Sequence, residues 1–441
     1  MKTLILDGSL PGDDTGFHIG ELVIKELTSR QVEVEVMKLH EKTIHTCRGL
    51  FFCWTRNPGI CDIDDDNRIV AAAMVHCDHL IVLSPVRFGS YSPLIKTTLD
   101  HFIQNTSPYF TQLHGETHHR KRYQRYPDLT VIGWLPEENQ REEDIFRQLV
   151  RRNGINFHSQ RTQCLICHED GSRNEWDSCI RKLGPEYRDY ELSDKKSDEM
   201  THLVTSGTDA NIKKAALVVG SPRGEKSTSY RLGEYYMNRL SERNVETEVF
   251  HIHRISRKTP EWSKMLEILC EKDLVLWSFP LYIDTFPAKM ISFMEEWSEA
   301  LKMTERKPQL AVMVNSGFPE KIHSINVLES CSLFAEKMAL PFFGGLILPG
   351  GRGIGKKPIQ KEDSNTKVIC KGLDMAAEET LKGEGFSLQT QNVLSKPAMP
   401  SFLYRFGGNL MWKNLAKKQG QENAMNRMPY QLEDMGKHYD S

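Results

Sequence analysis

A short apolar run that stops at a Gly-Ser turn and feeds a helix occurs twice in this chain. That repetition restricts the fold more than any other feature. The fuller copy is Ala215–Tyr236, AALVVGSPRGEKSTSYRLGEYY. Ala215–Val219 reads as a buried strand, Gly220-Ser221-Pro222-Arg223-Gly224 as a turn, and Ser227, Thr228 and Ser229 as the opening of a helix. Such a turn presents free backbone N–H groups and the positive end of a helix dipole, a ready seat for a phosphate. The hydroxyls and Arg223 add donors of the type a phosphate monoester needs. The poorer copy is Leu4–Thr15, at the start of the chain.

The segments downstream of the two copies repeat as well. Ile19, Leu22, Val23 and Leu27 lie at helical offsets, and Leu232, Tyr235, Tyr236 and Leu240 reproduce them. Val32, Val34 and Val36 alternate like an edge strand, as do Val245, Thr247 and Val249. His79–Leu83 and Leu274–Trp277 are third strands, and Pro280 stands where Pro85 stood. Thr130–Trp134 and Gln309–Val314 read as fourth strands, Gln163–Ile166 and Phe342–Leu348 as fifth. Strand and helix in alternation imply a parallel sheet with helices on both faces. The expected fold class is therefore α/β, with two tandem doubly wound domains of five parallel strands each. The expected boundaries are 1–186 for the first domain, 187–214 for a polar linker, 215–385 for the second domain and 386–441 for a helical tail.

Bulk properties remove several classes of function. With 26% charged residues and a net charge of −2, nothing argues for a nucleic-acid partner. No window approaches the ~18 apolar residues of a membrane span. The first residues, MKTLILDGSLPGDD, turn acidic too early for a signal peptide. Ten cysteines in 441 residues are too sparse for a disulfide scaffold and fit reduced thiols, so a cytoplasmic protein is expected.

In open α/β sheets ligands bind beyond the carboxyl ends of the strands, where strand order reverses. The loops after strands one and three are thus read together. In the second half these are Gly220–Ser229 and Ser278–Thr285; the latter, with Pro280, Leu281 and Tyr282, suits a flat apolar ring. The loop Asn315–Glu320 should reach the same rim, where its amides would meet the polar edge of such a ring.

At this point the residues resemble a family. GSPRGEKSTS, FPLYIDTFPA, NSGFPE and GGLILPGGRG look like the signatures of flavodoxin-like NADPH-dependent FMN reductases. In the first half, SPVRFGSYSPLIKTTLDH and HGETHHRKRY resemble the related multimeric flavodoxins and iron–sulfur flavoproteins. The resemblance implies FMN as cofactor and NAD(P)H as electron donor. It implies electron passage to a small-molecule acceptor, such as a quinone or flavin, or to a redox partner protein. It also implies an oligomer, which a duplication would supply as a pseudo-dimer within one chain. Carried over, Ser221, Arg223, Ser227, Thr228 and Ser229 would hold the phosphate; Pro280, Leu281 and Tyr282, with Asn315, Ser316 and Gly317, would contact the ring. In the first half Ser9 and Thr15 match Ser221 and Thr228, and Pro85, Val86 and Phe88 match the ring loop. No arginine matches Arg223, however, and Asp13 and Asp14 enter the loop. No catalytic acid or base is expected, because hydride transfer belongs to the cofactor.

Three further features stand apart from these loops. Cys47, Cys53 and Cys61 fit three positions of the four-cysteine motif of iron–sulfur flavoproteins, with Leu50 at the other. Structural thiols are the simpler reading. A cluster or zinc would need a fourth ligand, with Cys77, Cys164, Cys167 or His45 as candidates. The basic run His118–Tyr123 reads as a solvated segment, a lid or a dimer contact, and Asp64-Asp65-Asp66 as a helix cap. Phe402, Phe406, Leu410 and Met411 lie at helical spacing and are expected to pack an appended helix on the second domain or on a partner subunit; a basic membrane-surface helix is the alternative. An iron–sulfur electron carrier, or a non-catalytic protein with degenerate flavodoxin domains, is the rival to the oxidoreductase reading.

Overall fold

The computed structural model describes residues 1–184, 211–354, 359–361, 363–364 and 366–431, so most of the expected linker lies outside the described residues. The chain divides into two compact units, and the second is inserted into the first: residues 1–192 and 402–441 form one, 193–401 the other.

The first unit runs β1 (Lys2–Asp7), α1 (Asp14–Ser29), β2 (Glu33–Lys38), α2 (Phe52–Thr55), α3 (Asn67–His76), β3 (His79–Arg87), β4 (Ser90–Tyr91), α4 (Pro93–Leu99), β5 (Thr106–Leu113), β6 (Glu116–Lys121), β7 (Asp128–Leu135), α5 (Gln140–Asn156), β8 (Thr162–His168) and α6 (Arg173–Ile180). Its parallel sheet has the order β2-β1-β3-β7-β8, with β4 turning back on β3. Numbered by position, this is 2-1-3-4-5, the flavodoxin order expected from the sequence. Ile5, Ile81, Ile132 and Leu165 present one face of the sheet to Ile19, Leu22, Val23 and Leu27 of α1 and Ile180 of α6. On the other face Phe146 of α5 presses on Gly133.

The second unit repeats the arrangement: β9 (Lys214–Val219), α7 (Thr228–Ser241), β10 (Glu246–His251), α8 (Pro260–Cys270), β11 (Leu274–Pro280), α9 (Ala288–Lys302), β12 (Gln309–Asn315), α10 (Ile322–Lys337), β13 (Phe342–Leu348), α11 (Lys367–Leu381) and α12 (Leu388–Ser395). The order is β10-β9-β11-β12-β13, all parallel. Leu217, Leu276 and Met313 meet Leu232, Tyr236 and Leu240 of α7 and Leu373 and Ala376 of α11 on one face. Trp277, Phe293, Trp297 and Phe334 form an aromatic layer on the other.

Two features of the first unit differ from expectation. The basic run is not a solvated segment: it forms β6 of a β5–β6 hairpin, with His118 buried and the Arg122 guanidinium donating to the carbonyls of Thr106, Met425 and Arg427. The tail does not join the second unit beyond α12. Helix α13 (Ser401–Lys417) lies on that hairpin, and the face it uses is not the expected one. Phe402, Phe406 and Leu410 are exposed, whereas Trp412 is 2% exposed and stands edge-on to Trp54 with ring centroids 4.9 Å apart. Gly408 meets the ring of Phe110, and Asn409 Oδ1 accepts the Phe110 N–H at 2.6 Å. The hairpin approaches so closely that only a small residue fits at 408, where a Cβ would come within 2.3 Å of Phe110. Further on, Tyr430 donates to Gln104 Oε1 at 3.1 Å. No helix among the described residues is long and apolar enough to cross a membrane.

Candidate functional site

The loops at the carboxyl ends of β9, β11, β12 and β13 converge in the second unit. Gly220 N–H donates to the Ser278 carbonyl at 2.9 Å, which seats the first loop on β11. Gly224 has φ of +54°, a backbone state that suits glycine and turns the chain toward α7. Ser227 is the N-cap: its Oγ accepts from Tyr230 N–H at 3.1 Å and donates to the Gly224 carbonyl at 2.6 Å. Ser229 Oγ donates to Asn315 Oδ1 at 2.7 Å, and Thr228 Oγ1 donates to the Gly351 carbonyl at 3.2 Å. These bonds tie the N-terminus of α7 to the ends of β12 and β13. Within the described residues no acceptor takes the amides of Ser221, Thr228 or Ser229. Two of these are first-turn amides, which a helix leaves unpaired by geometry.

The charge around this loop is positive. Arg231, one turn into α7, is pushed down from the usual arginine range by burial and by the charge of Arg223. Arg254 pairs with Glu225 at 2.8 Å, and among the described residues no carboxylate pairs with Arg223. Beneath the loop His253 is half-buried and held near pKa 4 by desolvation, with Lys289 adding to the shift and a hydrogen bond with the Gly220 backbone opposing it. His253 is a residue the sequence reading missed; it follows β10 by two positions, as His40 follows β2, and His40 Nδ1 lies 3.1 Å from the Ser9 carbonyl.

The ring loop leaves Pro280, Leu281 and Tyr282 half-buried at the rim. Leu281 N–H donates to the Asn315 carbonyl at 2.9 Å, and Tyr282 and Thr285 close a tight turn whose central residues, Ile283 and Asp284, both have positive φ. Asp284 and His323, at the start of α10, are also brought together, Oδ1 to Nδ1 3.3 Å; neither stood out in the sequence. The third loop departs from expectation in one respect. Ser316 N–H is already taken by the Leu348 carbonyl at 3.1 Å, and Ser316 Oγ by the Phe318 carbonyl at 3.0 Å, whereas a Cβ placed at Gly317 would meet nothing within 4 Å.

FMN fits the second loop set: amides without an acceptor and an arginine without an ion pair among the described residues, and a half-buried apolar rim. The corresponding places in the first unit do not fit it. Asp13 is the N-cap of α1, and its Oδ1 accepts the Gly16 N–H at 2.8 Å. Asp7 Oδ1 accepts the Ser9 N–H at 2.9 Å. The amides that would greet a phosphate thus already hold carboxylates. A phosphate brought to within about 4 Å of one would meet repulsion on the order of 4 kcal/mol per charge pair at an effective dielectric of 20. Ser9 Oγ is buried against Gly16, and Thr15 is half of a short acidic entry, Asp14-Thr15. Pro85 and Val86 are not at a rim but inside an extended β3, where Val86 pairs with Tyr91; Phe88 sits at the hairpin turn with φ of +54°. The Gly89 amide is taken by Glu142.

The cysteine loop is buried but incomplete. Burial pushes the Cys47 thiol up to about 12 and raises Cys53 and Cys61 as well. Cys61 Sγ lies 3.5 Å from His101 Nδ1, whereas His45 turns to Asp65. Leu50 points outward, 44% exposed. Cys77 donates to the Met74 carbonyl near the amino end of β3. Among the described residues the three thiols do not close to within 4.8 Å of one another, and no fourth thiol joins them. The set does not fit zinc and is one thiolate short for a cluster. Asp65 and Asp66 accept the amides of His45 and Thr43, pinning this loop to α3 rather than binding metal.

A family model described as NADPH-dependent FMN reductase matches residues 1–119 and again 213–331. An iron–sulfur flavoprotein of Methanocaldococcus jannaschii is 30% identical over 101 residues, 23% of this chain, and the chain spans about half (51%) of that relative's length. Among solved structures, the chain is similar to an NAD(P)H:quinone oxidoreductase from Methanothermobacter marburgensis at 16% identity, covering 39% of this chain and 96% of that one, with a TM-score of 0.30. It is similar to an FMN-dependent NADH-azoreductase from Bacillus anthracis at 12% identity, covering 38% and 99%, with a TM-score of 0.29.

Proposed function

The chain belongs to the NADPH-dependent FMN reductase family, and from that premise we propose that it is an NAD(P)H oxidoreductase that carries one FMN, on its second domain. The observation that carries the reading is the loop at the head of α7, where the amides of Ser221, Thr228 and Ser229 have no acceptor among the described residues, Arg223 stands beside them, and the loop's one carboxylate, Glu225, is engaged by Arg254. Those amides, with Arg223 and the Ser221 hydroxyl, hold the phosphate. Ser227 and Ser229 act at one remove: the first caps α7, and the second locks its N-terminus to Asn315. Pro280, Leu281 and Tyr282 exclude water from one side of the ring, and Gly317, lacking a side chain, lets the ring edge approach the backbone. When bound, FMN supplies the redox chemistry, accepting hydride from the nicotinamide and releasing electrons to an acceptor. That acceptor is a small molecule such as a quinone or flavin, or a redox partner protein. The first domain serves as a flavin-free scaffold.

The test is a visible spectrum of the protein as isolated, repeated anaerobically with NADH and NADPH. A flavin spectrum bleached by either nucleotide supports the reading. A colourless protein that leaves added FMN fluorescence unchanged overturns it.

A further inference from the structure

Two thiols face each other at the edge of the first sheet. Cys167 lies on β8, the last strand of the sheet, and is 3% exposed. Cys179 lies on α6, half-buried, and packs against the cluster that contains Cys167. The Cys179 S–H donates to the carbonyl of Ile166, the residue before Cys167, at 3.4 Å. That bond holds its sulfur over β8, on the face of the strand where the Cys167 side chain lies in the same apolar cluster. The support around the pair is firm. Trp176 on α6 donates to the His168 carbonyl at 2.7 Å, and Ile180 and Leu183 are buried in the same core.

This pair is chemically unlike the chain's other buried cysteines. Desolvation, with smaller contributions from neighbouring charges, raises Cys47, Cys53 and Cys77 and keeps them as inert thiols. Cys179 moves the opposite way: the Cys167 S–H donates to it, and although burial resists, the charges of Lys182 and Arg147 add to the lowering. Cys167 keeps its proton correspondingly. Once Cys179 gives up the proton that it directs at the Ile166 carbonyl, it is a thiolate near a second thiol, partly open to solvent and beside two cations, the setting in which cysteines react.

We propose that Cys179 and Cys167 form a redox-active dithiol, with Cys179 the peroxide-reactive nucleophile and Cys167 the resolving thiol. The Cys179 thiolate attacks one oxygen of hydrogen peroxide. The O–O bond breaks, hydroxide leaves and takes up a proton, and the sulfur becomes a sulfenic acid. The Cys167 sulfur then attacks Cys179. The S–O bond breaks, the S–S bond forms, and the Cys167 proton leaves with the departing hydroxide as water. Two thiols have lost two electrons, and one peroxide has become two waters. The disulfide staples α6, the last described helix before residue 185, to the edge strand of its own sheet. A low-molecular-weight dithiol reverses it.

The experiment uses the full chain. After treatment with hydrogen peroxide, free thiols are alkylated and the protein is digested with trypsin, which cuts at Arg161, Arg173 and Arg181. Peptide 162–173 should be recovered joined to 174–181, with Cys164 alkylated. In untreated protein at pH 7, Cys179 should alkylate about fivefold faster than the half-buried Cys270, the gain in thiolate being partly offset by lower intrinsic nucleophilicity. In Cys167→Ala the peroxide-treated protein should accumulate a dimedone-reactive sulfenic acid at Cys179. In Cys179→Ser the joined peptide should disappear while the far-ultraviolet circular dichroism stays unchanged. Recovery of Cys179 fully alkylated after peroxide overturns the proposal, as does a joined peptide that uses Cys164. If Cys167→Ala does not fold, the wild-type digest and Cys179→Ser decide the question alone.

Discussion

Trp134 and Asn315 hold the same position in the two sheets: each is the residue paired in register with the proline of the third strand, Pro85 in the first unit and Pro280 in the second. Their surroundings differ in kind. Asn315 accepts a hydrogen bond from Ser229 at the head of α7 and lies at a half-open rim. Trp134 is fully buried, and its indole fills the space beside Gly16, where a Cβ would come within 2.7 Å of it. One substitution thus converts a polar corner that could border a ligand into core. Together with the Asp13 carboxylate, it supports the proposal that the first sheet keeps the flavodoxin-like fold without binding flavin.

Flavin content should reflect this contrast. The purified protein should carry close to one FMN per chain, read from the visible absorbance against protein mass. Arg223→Ala should weaken FMN binding by about 2 kcal/mol, some thirtyfold, as expected for loss of a charge-assisted bond to phosphate. Ser221 and Arg223 replaced together should leave little flavin bound. A double variant that retains its flavin would move the site to the first domain.

The role of Asp13 as a cap can be separated from its role as an anion. Asp13→Ala should cost about 1 kcal/mol, because Gly16 N–H loses its acceptor. Asp13→Ser keeps a capping oxygen and should stay within a few tenths of a kcal/mol of wild type. Thermal unfolding of the three proteins measures both differences.

Truncating Trp412 to Ala should release α13 from the β5–β6 hairpin. Its ring is buried against Trp54, and such losses cost about 3 kcal/mol or more. The readout is limited trypsin digestion: cleavage at Lys413, Lys417 and Lys418 should become much faster than in wild type. The second domain's flavin content should not change.

Acid should destabilise both domains over a defined window. Burial holds His79 and His253 near pKa 4, well below the ordinary histidine value of 6.5. Folded-state values lower than unfolded ones mean that the unfolded chain binds protons first as pH falls. Stability is therefore fully present above about pH 6.5 and is lost progressively down to about pH 4, on the order of 3 kcal/mol for each group. Urea midpoints at pH 7.5, 6 and 5 should fall in that order, and His79→Gln should flatten the curve. The imidazole Nε2 of His79 meets Thr130 Oγ1 at 2.8 Å, a bond that glutamine can replace.

Much of this architecture was legible in the residues. Apolar runs of strand length, Gly-Ser turns and the repeated helical offsets carried the two doubly wound sheets and the duplication, because period and turn chemistry are local. The convergence of Ser229, Asn315 and Pro280 came from topology once strand order was assumed. Side-chain contacts between distant segments were not legible. Nothing local in HGETHHRKRY says that it becomes a strand covered by residues from the far end of the chain. Nothing in the spacing of Phe402, Phe406 and Leu410 says that Gly408 and Trp412 define the packed face instead. His253 under the loop and the Cys167–Cys179 contact escaped for the same reason: each depends on a register that only the folded sheet sets.

The return of residues 402–431 to the first unit has a consequence for how the chain is made. The first sheet is finished by residue 168, yet the aromatic contact between Trp54 and Trp412 needs a residue synthesised more than 200 positions later. At ordinary ribosomal rates of about 5–20 residues per second, that is a wait on the order of 10–50 s. During it the nascent first domain exposes Phe51, Trp54 and Phe110 while the entire second domain emerges and folds. The window invites chaperone engagement, and the stretch that closes it leaves the ribosome only after the whole second domain.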